Sequence, residues 1–180
     1  KIMKKFIIIL MMFGFFSKIS ATENGSAYNY EFVGLDGNSI KLSDYKDNVI
    51  VVVNVASRCG YTPQYKDLQY LWSTYKNKNL VVIGVPTNNF RQEPGSNKEI
   101  KDFCETNFGV NFPMTEKMNV IGNNSHPFYK WARKSFGIRA IPKWNFHKII
   151  IGRDGKVAET FSSITKPSSK KFLQAIEKLI

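Results

Sequence analysis

The sequence predicts an α/β domain in which a central mixed β-sheet is flanked by helices, with an N-terminal β-hairpin. Three observations predict it. Residues 49–55 (VIVVVNV) and 80–85 (LVVIGV) are apolar, β-branched runs of strand length, as expected for strands buried on both faces. Between them, Tyr65, Leu68, Leu71, Trp72 and Tyr75 recur at helical spacing. Near the carboxy terminus, residues 146–151 and 156–161 flank an Arg153-Asp154-Gly155 turn, and a helical segment follows.

The elements follow in order. Residues 22–27 (TENGSA) form a polar leader. Residues 28–33 alternate aromatic and polar side chains, and 39–42 follow an Asp36-Gly37 turn, which reads as the hairpin. After the 49–55 strand, Thr62-Pro63 reads as an N-cap with proline at the first helical position. After the 80–85 strand, a loop over 86–95 leads to a helix that starts at Ser96 or Asn97 and ends near Asn107. Residues 112–114 read as a short strand, 125–134 as a helix after a Gly-Asn-Asn turn, and Pro167 as the start of a last helix reaching Ile180. No repeat, low-complexity tract or linker interrupts residues 22–180, so they form a single domain. A βαβ core followed by ββα is the thioredoxin-like pattern, an analogy of fold that does not by itself carry function.

Composition narrows the function classes. At 43% hydrophobic and 22% charged residues, the chain is neither disordered, collagen-like nor a coiled coil. Two cysteines and two histidines make neither a disulfide scaffold nor an obvious zinc site, so no metal is expected. A net charge of +12 alone would suggest nucleic acid or a membrane surface as a partner. The amino terminus weakens that suggestion. Lys1, Lys4 and Lys5 precede an apolar run at 6–16, and a short segment of small and polar residues ends at Ala21, the layout of a signal peptide over 1–21. The run is shorter than the roughly 20 apolar residues of a spanning helix. An uncleaved anchor using Lys18 and beyond is the alternative. Removing residues 1–21 leaves 22 basic against 14 acidic residues, a net +8. These basic residues are dispersed, and no nucleic-acid reading motif accompanies them. The expected protein is exported, periplasmic or secreted, without stable membrane insertion after cleavage.

Cys59 lies in the loop between the 49–55 strand and the next helix. The loop after a parallel-type strand is where α/β sheets place their sites. Thiolate is the reactive form of cysteine, and a helix amino terminus favours it. Arg58 adds a nearby cation, and Gly60 permits close approach of the backbone. Position 62 is Thr, so Cys59 has no CxxC partner and a dithiol exchange enzyme is disfavoured, whereas a peroxide-reducing thiol needs no such neighbour. Other readings stay open at this point: Cys59 as an inert buried residue, Cys104 as a small buried helix residue beside Phe103, or a structural Cys59–Cys104 disulfide in a secreted basic binding module.

Three blocks carry a resemblance. Residues 53–65 (VNVASRCGYTPQY), residues 88–96 (NNFRQEPGS) and Lys143-Trp144-Asn145-Phe146 resemble, in order, the motifs of the glutathione peroxidase family. Phe103-Cys104, Phe108-Gly109-Val110 and Phe112-Pro113 resemble the segment bearing a second cysteine in the non-selenium members that use thioredoxin. Residues 162–169 resemble the family's tail, so that the resemblance covers nearly all of 28–180. It implies a thiol peroxidase acting on hydrogen peroxide and organic hydroperoxides in antioxidant defence. Cys59 would be the peroxidatic residue, Gln92, Trp144 and Asn145 would complete the catalytic tetrad, and Cys104 would be the resolving cysteine. A thioredoxin-like protein or glutathione would be the reductant and co-substrate, with no further cofactor. The short stretch at 134–143 lacks the loop of tetrameric, glutathione-preferring members, which implies a monomer. A disulfide needs Cα atoms within about 7 Å. The helix bearing Cys104 is therefore expected to unwind locally if the fold holds the two thiols farther apart. The chain departs from the family pattern in four places. Thr87 replaces a further cysteine. The Phe90-Arg91-Gln92 loop is one residue short. Arg91 adds a cation there, and Ile141-Pro142 stiffens the approach to Trp144.

Overall fold

The computed structural model describes residues 25–180; the expected leader at 1–21 lies outside them. Strands β1 (Glu31–Val33) and β2 (Ser39–Lys41) form the predicted antiparallel hairpin, closed by Gly37 at φ 82°. The main sheet contains β3 (Val49–Val55), β4 (Leu80–Pro86), β5 (Lys148–Ile151) and β6 (Val157–Phe161) in the order β4-β3-β5-β6. β3 runs parallel to β4 and antiparallel to β5, which makes the sheet mixed, as expected. Helices α1 (Gln64–Tyr75), α2 (Asn97–Phe108), α3 (Pro127–Phe136) and α4 (Lys170–Glu177) flank it.

Every residue of β3 and β4 is buried. Alternation then assigns side chains to two cores. Val49, Val51, Val53 and Val55 meet Leu68 and Leu71 of α1, Ile100 and Cys104 of α2, and Phe172 and Ile176 of α4. Ile50 and Val52 face the other way, toward Phe128, Trp131 and Ala132 of α3. Asn54 is next in that second series and is buried too.

Boundaries shift where a particular group intervenes. Residues 112–114 do not form a strand: Pro113 has no N–H to donate, and the segment makes only isolated bridges, Gly84–Met114 and Gly34–Thr115. Phe146 has φ 62°, which excludes it from β5. His126 caps α3 by accepting the Phe128 N–H at 3.3 Å, so the helix begins at Pro127 and not at Ser125. Ser169 caps α4 in the same way, which moves its start from Pro167 to Lys170. Ser96 and Glu99 form a reciprocal capping box on α2. No helix among the described residues is long and apolar enough to cross a membrane.

The tail after β6 is tied to α1 by a buried lysine. Lys148 Nζ donates to Gln64 Oε1 at 2.5 Å and to the Thr165 carbonyl at 2.7 Å, and Gln64 Nε2 donates to the Ser163 carbonyl at 2.6 Å. Burial pushes the Lys148 ammonium down to about 7. Burial, helped by Lys148 and Lys143, pushes His147 down to about 4 from 6.5. Both groups favour the uncharged form in the fold. The unfolded chain therefore binds more protons between pH 4 and 6.5 through His147, and above pH 7 through Lys148. Unfolding free energy should rise with pH across both windows. The His147 share, from a shift of 6.5 to about 4, is about 3 kcal/mol. Urea denaturation of wild type and His147→Leu at a series of pH values checks this. The variant should lose the rise between pH 4 and 6.5 and keep the one above pH 7.

Candidate active site

The site is built at the carboxy end of β3. There the chain leaves the sheet at Ala56 and turns through Ser57-Arg58-Cys59-Gly60 before entering α1. Thr62 makes this turn rigid. Its hydroxyl accepts the Cys59 N–H at 3.0 Å and donates to the Ala56 carbonyl at 2.8 Å. With its oxygen committed to the loop, Thr62 does not cap α1, and the helix begins at Gln64, after an uncapped turn. The Cys59 side chain is 8% exposed. Its sulfur receives the Tyr61 N–H at 3.4 Å, a contact that strengthens when the sulfur carries charge.

A second loop meets the first. The Arg58 N–H donates to the Gln92 carbonyl at 3.0 Å. Arg91 turns this loop with φ 57° and its N–H on the Asn88 carbonyl at 2.9 Å. Gln92 thereby reaches the third segment: its Oε1 accepts the Asn145 Nδ2–H at 2.9 Å. Asn145 is fully buried and its Oδ1 has no partner among the described residues. Trp144 is 42% exposed and packs on Phe90 with ring centroids 5.4 Å apart. Asn54 places this segment. Its Nδ2 donates to the Trp144 carbonyl at 3.1 Å, and its own carbonyl accepts the Phe146 N–H at 2.6 Å. Residues 54–59, 88–93 and 144–146 thus converge on one end of the sheet.

Cys104 sits in the middle of α2, 1% exposed, in the same apolar core as Cys59. Burial pushes its thiol up to about 11. The Tyr65 hydroxyl opposes this, and Glu93 and Glu105 add to it. Both cysteines are free thiols in this structure. A cavity of about 760 Å³ is lined by Cys104 with Trp72, Phe112 and Met114 and by none of Cys59, Gln92, Trp144 and Asn145. No cluster of three or more metal-ligating side chains occurs among the described residues.

The model of the family described as glutathione peroxidase matches residues 27–133. The chain belongs to the glutathione peroxidase family. The hydroperoxy fatty acid reductase gpx1 of Synechocystis sp. is 41% identical over 171 residues, covering 90% of this chain and 100% of that protein. The glutathione peroxidase-like peroxiredoxin gpx1 of Schizosaccharomyces pombe is 47% identical over 136 residues, 73% of this chain and 85% of its own. Among solved structures, that of Trgpx in apo form aligns at a TM-score of 0.66 and 36% identity, covering 85% of this chain and 96% of that one. A thiol:disulfide interchange protein from Chlorobium tepidum aligns at 0.62 over 83% of this chain and 92% of its own with 14% identity, which shows the thioredoxin-like fold alone. This glutathione peroxidase relative is a thiol peroxidase, an oxidoreductase acting on hydroperoxides with a thiol reductant.

Four further residues organise the site of this peroxidase without having been singled out for a site role from sequence: Asn54, Ser57, Thr62 and Glu93. One signal was available, the lone polar Asn54 inside a β-branched run; the burial of Glu93 had none. Thr62→Val should destabilise the fold by about 1–3 kcal/mol, because it strands the Cys59 N–H and the Ala56 carbonyl in a buried loop. Urea denaturation reads the loss, and an unchanged midpoint would remove Thr62 from this role.

Proposed function

We propose that Cys59 is the peroxidatic cysteine, with Gln92, Trp144 and Asn145 as its hydrogen-bonding partners in the reaction. The observation that carries this reading is the Asn145–Gln92 bond at 2.9 Å beside the Arg58–Gln92 backbone bond at 3.0 Å. Together they bring three separated motifs to one place. The Cys59 thiolate attacks the terminal oxygen of ROOH. A sulfur–oxygen bond forms and the O–O bond breaks, and the RO⁻ that leaves takes a proton to give an alcohol or water. Charge develops on both oxygens, and the amide N–H groups and the Trp144 indole N–H are neutral donors suited to it. Cys59 becomes a sulfenic acid.

Cys104 is the resolving cysteine in this reading. Its thiolate attacks the Cys59 sulfur, a disulfide forms, and the sulfenic oxygen leaves as water after protonation. A thiol held near 11 by burial is a poor nucleophile at neutral pH. Local unwinding of α2 exposes Cys104 to water and brings it within bonding reach of Cys59. A thioredoxin-like dithiol protein then reduces the disulfide; glutathione is the alternative donor. Substrates are hydrogen peroxide and organic hydroperoxides, and the name of the Synechocystis relative points to fatty-acid hydroperoxides among them. The role is antioxidant defence by a monomer that uses no cofactor beyond the thiol donor. The basic run and apolar stretch at 1–21 support export to the periplasm or medium with cleavage of the leader.

Cys59→Ser should abolish peroxide consumption. Cys104→Ser should stop at a trapped sulfenic acid after one turnover, while wild type loses both thiols to one equivalent of peroxide. Thiol titration with a sulfenic-acid probe checks both variants. Hydrogen exchange on α2 should be faster in the oxidised than in the reduced protein, and equal protection would rule out the unwinding.

A further inference from the structure

Glu93 and Lys148 are acid and base side chains that the fold buries almost completely, at 1% and 0% exposure. Lys148 serves the tail. Glu93 serves the loops of the site: its Oε2 accepts the Ser57 N–H at 2.8 Å and the Ser57 hydroxyl at 3.0 Å. Its own N–H donates to Asn88 Oδ1 at 3.0 Å, so the residue is itself held. With the Arg58–Gln92 backbone bond, three hydrogen bonds join residues 57–58 to 92–93, and two of them end on one carboxylate oxygen. Burying a carboxylate is costly, and here burial pushes the Glu93 carboxyl up while the Ser57 bonds, Lys117 and Arg58 pull it down. The expense falls between the loop that carries Cys59 and the loop that carries Gln92.

We propose that Glu93 is a positioning residue for peroxide reduction, whose carboxylate clamps the Cys59 loop onto the Gln92–Asn145 pair. It touches neither sulfur nor peroxide. Without it, the Arg58–Gln92 backbone bond alone joins the two segments, and the sulfur loses its alignment with the donors that receive the departing oxygen. The proposal rests on the reading of Cys59 and Gln92 given above.

Two rate constants measured in a Cys104→Ser background separate alignment from general loosening: sulfenic-acid formation with hydrogen peroxide, and alkylation of Cys59 by iodoacetamide, which needs no oxygen donors. Glu93→Ala should slow the peroxide reaction by about tenfold or more, since small displacements of reacting groups cost that much, and leave alkylation nearly unchanged. Glu93→Gln keeps a carbonyl oxygen for Ser57 and should recover most of the peroxide rate. If Glu93→Ala does not fold, Ser57→Ala, which removes only the hydroxyl bond, should show a smaller loss in the same direction. An unchanged peroxide rate in a folded variant, a parallel fall of both rates, or no recovery in Glu93→Gln would overturn the clamp alone. Peroxide consumption by Cys59→Ser would overturn the underlying reading, and the clamp with it.

Discussion

The pairing at the end of β3 is the constraint on which the site depends. Asn54 is the last side chain but one of that strand. Its carbonyl and amide hold Phe146 and Trp144, while Thr62 and Ala56 shape the chain that leaves the same strand toward Cys59. One buried strand therefore sets both the height of the cysteine and the position of the Trp144-Asn145 turn. The turn needs Phe146 in a left-handed conformation that costs on the order of 1–3 kcal/mol, and the surrounding bonds over-determine it. β3 is buried along its whole length and resists movement, so the turn that carries the proposed donors Trp144 and Asn145 is anchored to a rigid strand.

The second cysteine lives under opposite conditions. Cys59 sits on a loop with a backbone N–H aimed at its sulfur, whereas Cys104 sits inside a capped helix against apolar neighbours. In the proposed cycle the first meets the peroxide, and the second waits as a thiol until its helix opens. The capping box and the left-handed Gly109 bound α2 at its two ends. In the proposed cycle, the rigid sheet end serves the chemistry on oxygen and the helix serves the exchange of sulfur.

Much of this was readable in the sequence, for identifiable reasons. β3 and β4 were evident because strands buried on both faces leave a continuous apolar record. α1 was evident from five side chains at helical spacing, but its start was misjudged because Thr62 spends its hydroxyl on the Cys59 loop. The 112–114 segment looked like a strand by composition, and Pro113 left it only isolated bridges. Cys59, Gln92, Trp144 and Asn145 were named from motifs; that three of these segments meet is a property of how the sheet end closes.

Sequence alone determined the fold class, the family and the peroxidase activity that goes with it, because strand burial, helical spacing and local motifs are written in contiguous residues. Only the tertiary structure decided that the 88–93 loop delivers Gln92 to Asn145, that Cys104 is a buried thiol whose proton burial holds, and that Glu93 is an interior side chain. Those outcomes depend on hydrogen bonds between residues 36 to 90 positions apart and on desolvation, neither of which has a local signature in the chain.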